Sequence, residues 1–161
     1  MQTRDPANPA ASFELERFLP YRLSLLTNTV SQGIAARYRD EFGISVTEWR
    51  ILAVLGRFPG LTASEVVART AMDKVAIHRG VKALLEKEYL ERRTDRTDRR
   101  RQVLHITRPE GQAVIENIIP RARQFERELL DALTPEEIAL LQGILEKLQD
   151  SAENSLGAPE R

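Results

Sequence analysis

Two helical segments separated by a two-residue turn constrain this chain more than any other feature. The first, "LTASEVVART" from Leu61 to Thr70, places Glu65 three residues after Thr62, the spacing at which two side chains cap a helix start reciprocally. Val66, Val67 and Ala63 give it a buried side. After a brief turn at Ala71–Met72, Asp73 is placed to cap "DKVAIHRGVKALLEKEY", in which Ile77, Val81, Leu84 and Leu85 form one apolar stripe. Val75, His78, Arg79, Lys82 and Glu86 recur at helical spacing on the opposite face. Two helices joined by so short a turn predict a helix-turn-helix whose second helix presents a polar, mostly basic side.

The period then changes. "YLERRT" and "QVLHIT" are short and rich in branched or aromatic residues, and they flank a loop as two strands flank a hairpin turn. Between Arg92 and Arg101 the chain packs six arginines against two aspartates, although its 24 Lys+Arg balance its 24 Asp+Glu overall. The compensating charge lies far away: Glu126 to Arg161 holds nine acidic and three basic residues. Such a dipolar layout suits a chain that brings one end to a polyanion and keeps the other end away from it.

The flanking segments read as helices. From Phe13 to about Phe42, the residues Phe18, Leu19, Arg22, Leu23, Leu26, Val30, Ile34 and Tyr38 follow helical spacing, with Gly43 as terminator. Thr47 is the expected cap of "TEWRILAVLGRF", which ends at Pro59–Gly60. From Glu110 a long helix carries Val114, Ile115, Ile118, Ile119, Phe125, Leu129, Leu130 and Leu133, with a kink expected at Pro120. "TPEE" at Thr134–Glu137 restarts the chain with a cap, a first-turn proline and a capping-box glutamate. The fold class is therefore mainly α: a winged helix-turn-helix with a two-stranded β wing and N- and C-terminal helices. The expected division is a frayed 1–12, helical 13–42 and 110–150, a winged region over 47–109, and a flexible 151–161.

Composition removes other classes. A chain of 161 residues with 42% hydrophobic and 30% charged content is expected to form one globular domain. The absence of cysteine excludes disulfides, thiolate metal sites and thiol redox sensing. No metal or cofactor is expected. No apolar run reaches membrane-span length and the N-terminus lacks a signal-peptide pattern, so a cytoplasmic protein is expected. With two histidines and no phosphate-cradling glycine loop, "HExxH" or "GxSxG", nothing assembles an enzyme site.

Double-stranded DNA is the polyanion that fits. The second helix would enter the major groove with Lys74, Val75, Ala76, His78, Arg79 and Lys82. The wing would bring Arg96, Arg99, Arg100 and Arg101 to the backbone and the adjacent minor groove, where negative potential is focused. Asp98, with Asp95, would hold neighbouring arginines in fixed orientations. His105, on a wing strand, reads as structural. An arginine-rich loop is often only a solvated surface, but its place between two strands after a helix-turn-helix favours DNA. The competing class is a winged-helix adaptor that binds protein; it would not need six arginines at the wing, and its binding would be insensitive to salt.

From Phe13 to Asp150 the chain resembles the MarR family of winged-helix transcriptional regulators. The residues that carry the likeness are "DRTDRRRQVLHITRPEG" and "MDKVAIHRGVKALLEKEYLERR". Asp98 and Arg100 match the family's wing aspartate and minor-groove arginine, Ile106–Thr107 its strand end, and Gly111 the start of the next helix. Arg79 stands at a position that commonly contacts DNA. Ala76 and His78 stand where small hydroxyl residues are common, and Thr107 to Gly111 is one residue longer than usual. The resemblance implies a homodimer whose first and last helices interlock, in keeping with more apolar surface there than a small winged domain can bury. It further implies a roughly palindromic operator, and release by a small effector such as an aromatic carboxylate or its thioester. Tyr21, Arg22 and Trp49 are the candidate effector residues, with Arg22 receiving the carboxylate. Pairing of Arg22 with a neighbouring acid is the plainer reading of that residue, and burial in the core is the plainer reading of Trp49.

Overall fold

The computed structural model describes residues 13–157. The lead-in over residues 1–12 and the last four residues lie outside them. A short 3-10 turn, Leu15–Arg17, precedes α1 (Leu19–Ala35), α2 (Arg39–Phe42), α3 (Val46–Arg57), α4 (Ala63–Thr70) and α5 (Lys74–Glu86). The strands β1 (Leu90–Thr94) and β2 (Gln102–Ile106) follow, then α6 (Glu110–Leu130) and α7 (Pro135–Gly157).

Two sequence expectations need correction here. The helix expected from Phe13 to Phe42 is broken. It starts at Leu19 with Pro20 in its first turn, where a fixed φ costs nothing, and it ends at Ala35. The break lets Tyr38, 1% exposed, tuck its ring 6.0 Å from that of Trp49 before α2 begins. Gly43 closes α2 in the left-handed conformation at φ 60°, as expected of a terminating glycine. The cap of α3 is Ser45, not Thr47: the Ser45 hydroxyl accepts from the Glu48 amide, and the Glu48 carboxylate accepts from the Ser45 amide at 2.6 Å. The expected caps Thr62 of α4 and Asp73 of α5 are both in place.

By its internal packing the chain divides into two compact units, one ending at Ala122 and the other starting at Arg123. In the first, α3 packs on α5, both pack on α4, and β2 lies against α3. Ile51, Leu52 and Leu55 of α3 meet Val66 of α4 and Ile77, Val81 and Leu84 of α5 in one core. Leu90 and Leu104 seal it from the sheet, and Val114, Ile115 and Ile118 from the first turns of α6. Each such side chain contributes roughly 1.5–3 kcal/mol by leaving water. Gly80 brings α5 close to α3, since a Cβ there would stand 2.7 Å from Ile51 Cδ1. Gly111 allows a still closer approach: a Cβ would lie 2.2 Å from the Tyr89 carbonyl oxygen.

Helix α6 passes through Pro120 without interruption and leaves the first unit at Ala122. In the second unit α7 opens on the expected capping box, with the Thr134 amide donating to Glu137 at 2.8 Å and the Glu137 amide donating back to the Thr134 hydroxyl. This helix runs to Gly157, so residues 151–157, expected to be flexible, continue it. No helix of the described residues is long and apolar enough to cross a membrane.

Candidate nucleic-acid interface

The turn between α4 and α5 depends on Ala71, which takes the left-handed conformation at φ 49°. A residue with a Cβ is uncommon there, and composition gives no warning of it. Asp73 then caps α5 by accepting from the Ala76 amide at 2.9 Å. On this base Lys74, Val75, His78, Arg79 and Lys82 are all exposed, whereas Ala76 is half-buried. Lys82 is partly occupied by Glu86, 3.7 Å away, one helical turn on. The opposite face holds the buried Ile77, Val81 and Leu84, so the two faces divide as the periodicity predicts.

The hairpin pairs Leu90 with Ile106 and Thr94 with Gln102, leaving residues 95–101 as its loop. Aspartates build this loop through the backbone. The Asp95 carboxylate accepts from the Thr97 hydroxyl and amide, both at 2.7 Å, and from the Asp98 amide at 3.2 Å. These donors, the Thr97 hydroxyl foremost, hold the Asp95 carboxyl down at a pKa of about 2. Asp98 accepts from the Arg100 amide at 2.9 Å. Both aspartates thus order the chain that carries the arginines, Asp95 through two amides and the Thr97 hydroxyl and Asp98 through the Arg100 amide; the sequence expectation is that they hold neighbouring arginines in fixed orientations. Arg96, Arg99 and Arg100 are left exposed.

Arg101 differs from them. Its Nη2 lies 2.8 Å from one Glu65 oxygen and 2.9 Å from the other. Glu65 is the capping-box residue of α4, and its carboxylate also accepts from the Thr62 amide at 2.7 Å and the Thr62 hydroxyl at 2.9 Å. The Thr62 amide first, then its hydroxyl, with the Arg101 charge adding to them, hold Glu65 below the usual carboxylate range. Beside this pair, Leu104 of β2 donates its amide to the Leu61 carbonyl at 2.8 Å and accepts from the Gly60 amide at 3.1 Å. His105 is half-buried with its ring against Gly60.

The candidate effector residues lie on different elements. Tyr21 and Arg22 are exposed on α1, and no ion pair holds Arg22 among the described residues. Trp49 is half-buried on α3, packed against the core beside Tyr38. Sequence reasoning missed the Glu65–Arg101 pair and the Leu61–Leu104 bridge, because each joins positions far apart in the chain. It also missed Ser45, although "SVTE" carries the same capping spacing as "TASE".

Comparison with known proteins places this architecture. The MarR family model matches residues 42–101, from the end of α2 to the end of the wing loop. A putative transcriptional regulatory protein for the hcr operon of Thauera aromatica is 37% identical over 114 residues, 68% of this chain; the match spans 66% of that protein's length, just under two thirds. The multiple antibiotic resistance protein MarR of Salmonella typhimurium is 27% identical over 128 residues, covering 79% of this chain and 88% of its own. Among solved structures, a MarR/EmrR family transcriptional regulator from Acinetobacter sp. ADP1 superposes with a TM-score of 0.80 at 28% identity, covering 88% of this chain and 99% of that one. With its helix-turn-helix, its wing and these relatives, the chain belongs to the MarR family of winged-helix transcriptional regulators.

Proposed function

We propose that this chain is a cytoplasmic repressor that binds a roughly palindromic DNA operator as a homodimer and leaves it when a small acidic effector binds. The observation that carries the DNA reading is one of charge. Lys74, His78 and Arg79 on α5 and Arg96, Arg99 and Arg100 on the wing loop are all exposed, and no ion pair neutralises them among the described residues. A protein that neutralises phosphates with such cations releases counterions, and its binding falls steeply with salt. The helix face reads bases, and the loop holds register on the backbone.

Support for the dimer comes from apolar surface. Phe13, Phe18, Leu25 and Leu26 are between 44% and 56% exposed in the first unit. In the second, Leu140, Ile144 and Leu145 are between 43% and 64% exposed. Large side chains in such number mark surfaces that meet a partner, and a second copy of the chain presents the same residues. Its two α5 helices would meet half-sites about one helical turn apart. The effector is a small aromatic carboxylate or its thioester, anchored by Arg22, which no ion pair holds among the described residues, with Tyr21, and with Trp49 as the more buried member of the set. It acts by preferring a dimer with wrongly spaced α5 helices, a coupling of about 1–3 kcal/mol.

The test is titration of a fluorescent promoter duplex at several salt concentrations. Arg100→Ala is expected to weaken binding by about 1–3 kcal/mol and to flatten the salt dependence; an unchanged curve counts against the wing. A screen of aromatic carboxylates and thioesters for DNA release, with Arg22→Ala as control, tests the effector. A chain that sediments as a monomer at micromolar concentration defeats the mechanism.

A further inference from the structure

The wing is attached at two points to the stretch Gly60–Glu65 that leads into and opens α4, and the second has no place in the reading above. At the first, the backbone of Leu104 bonds to Leu61 and Gly60. At the second, three residues back along the chain, Arg101 reaches across 36 positions to both oxygens of Glu65. Arg101 is also where the loop closes on itself: its carbonyl accepts from the Asp95 amide and its amide donates to the Asp98 carbonyl, both at 3.0 Å. Glu65 cannot swing freely to follow it, because two donors of Thr62 hold the same carboxylate at the start of α4.

We propose that Glu65 and Arg101 form a strut that fixes the direction in which the loop presents Arg96, Arg99 and Arg100, making both positioning residues for DNA. The inference rests on the DNA-binding reading above. Leu90, Leu104 and the Leu61 bridge hold the base of the hairpin in the core, but its loop end would be free to rock about that base, and small rotations there displace the loop tip most. The second attachment removes this freedom. An ion pair this exposed adds little to stability, so its effect lies in geometry. The guanidinium is already neutralised by Glu65, so Arg101 releases few counterions from DNA, unlike its three exposed neighbours.

The sign of one substitution separates this role from a direct phosphate contact. Glu65→Gln keeps a carbonyl oxygen to accept from Thr62 and so preserves the cap, but it removes the charge that holds Arg101. Were Arg101 a phosphate ligand, the change would free it, delete a negative charge near DNA and tighten binding. A strut predicts the reverse. The experiment measures dissociation constants across a salt series for a duplex that the full-length wild type selects from a randomised pool. Glu65→Gln and Arg101→Gln are each expected to weaken binding about fivefold or more with unchanged melting temperature, and the double variant to do no worse than either, as coupled partners do. The salt slope should stay at the wild-type value in all three. Binding by Glu65→Gln as tight as wild type or tighter, or a double variant that loses the product of the single effects, overturns the strut and leaves the DNA reading intact. A wild type that enriches no duplex overturns the DNA reading and the strut with it.

Discussion

The carboxylate of Glu48, 5% exposed, meets the ammonium of Lys87 at 2.6 Å, joining the start of α3 to the residue just past the end of α5. Glu48 spends its other oxygen on the Ser45 amide, and Lys87 also donates to the Gly43 carbonyl at 2.7 Å. Glu65 repeats the arrangement at the start of α4 with Arg101 as its distant cation. These two capping-box glutamates therefore do two tasks: each accepts the cap amide at the start of its own helix and anchors a later element to it.

Removing Lys87 leaves a buried carboxylate without its cation. Because about a third of the Lys87 side chain is exposed, water takes up some of the loss, and Lys87→Met is expected to cost about 2–3 kcal/mol, below the roughly 3–5 kcal/mol of a fully buried pair. The double variant Glu48→Gln/Lys87→Met should recover part of that. Urea unfolding of the three variants measures both; a fully additive pair would show that the contact is not coupled.

On α5, fold and function are expected to separate by face. Arg79→Ala, at an exposed position, should lose DNA binding and keep the urea midpoint. Leu84→Ala, at a side chain fully shielded from water, should cost roughly 2–5 kcal/mol. If Arg79→Ala unfolds the protein, the exposed face has been misassigned.

The wing loop should withstand acid. The folded pKa of Asp95, about 2, lies below the ordinary 3.8. The order that its ionised carboxylate supplies is therefore complete above pH 4 and fades as pH falls through 2. Carbon-detected NMR titration of Asp95 should give a midpoint near the lower value, and Thr97→Val, which removes the foremost donor, should move it upward. A midpoint at the ordinary value would mean that the loop bonds are absent in solution.

Two glycines in tight quarters should respond differently. A methyl group at Gly111 would meet a backbone oxygen that cannot move aside, so Gly111→Ala is expected to destabilise by about 3 kcal/mol or more. At Gly80 the obstacle is the tip of the Ile51 side chain, which rotates, and the helix propensity of alanine offsets roughly 1 kcal/mol of the remaining strain. Thermal melts of the two variants compare them directly; equal losses would contradict the contrast.

Local chemistry was legible in the sequence and distant pairing was not. Thr62 with Glu65, Asp73, and Thr134 with Glu137 announce their helices because a cap and its partner sit within four residues. The change of period after Tyr89 likewise announces the hairpin. Ser45 escaped notice because Thr47, two residues on, is an equally good capping type. The break after Ala35 escaped because helical spacing continues straight across it to Tyr38, and only packing on Trp49 requires the turn. Glu65 was read correctly as a cap, but its reach to Arg101 depends on how the hairpin folds back, which no spacing encodes. Arg101 consequently looked like one more wing arginine. The half-buried Ala76 sits at the margin of the α5 face for a similar reason: periodicity assigns a direction and leaves open how deeply the neighbouring helices cover it.

The Leu61–Leu104 bridge has a consequence for how the protein keeps to itself. A two-stranded hairpin has two unpaired edges, and each is a template on which another chain can add a strand. At Leu104 the inner edge of β2 is already taken by Leu61. The remaining edge belongs to β1, which is five residues long and carries Glu91, Arg92 and Arg93 along it. A short, charged strand recruits neighbours poorly. The hairpin is thus guarded on one side by the chain's own backbone and on the other by a short strand of charged residues, and an incoming copy finds no free apolar strand to extend.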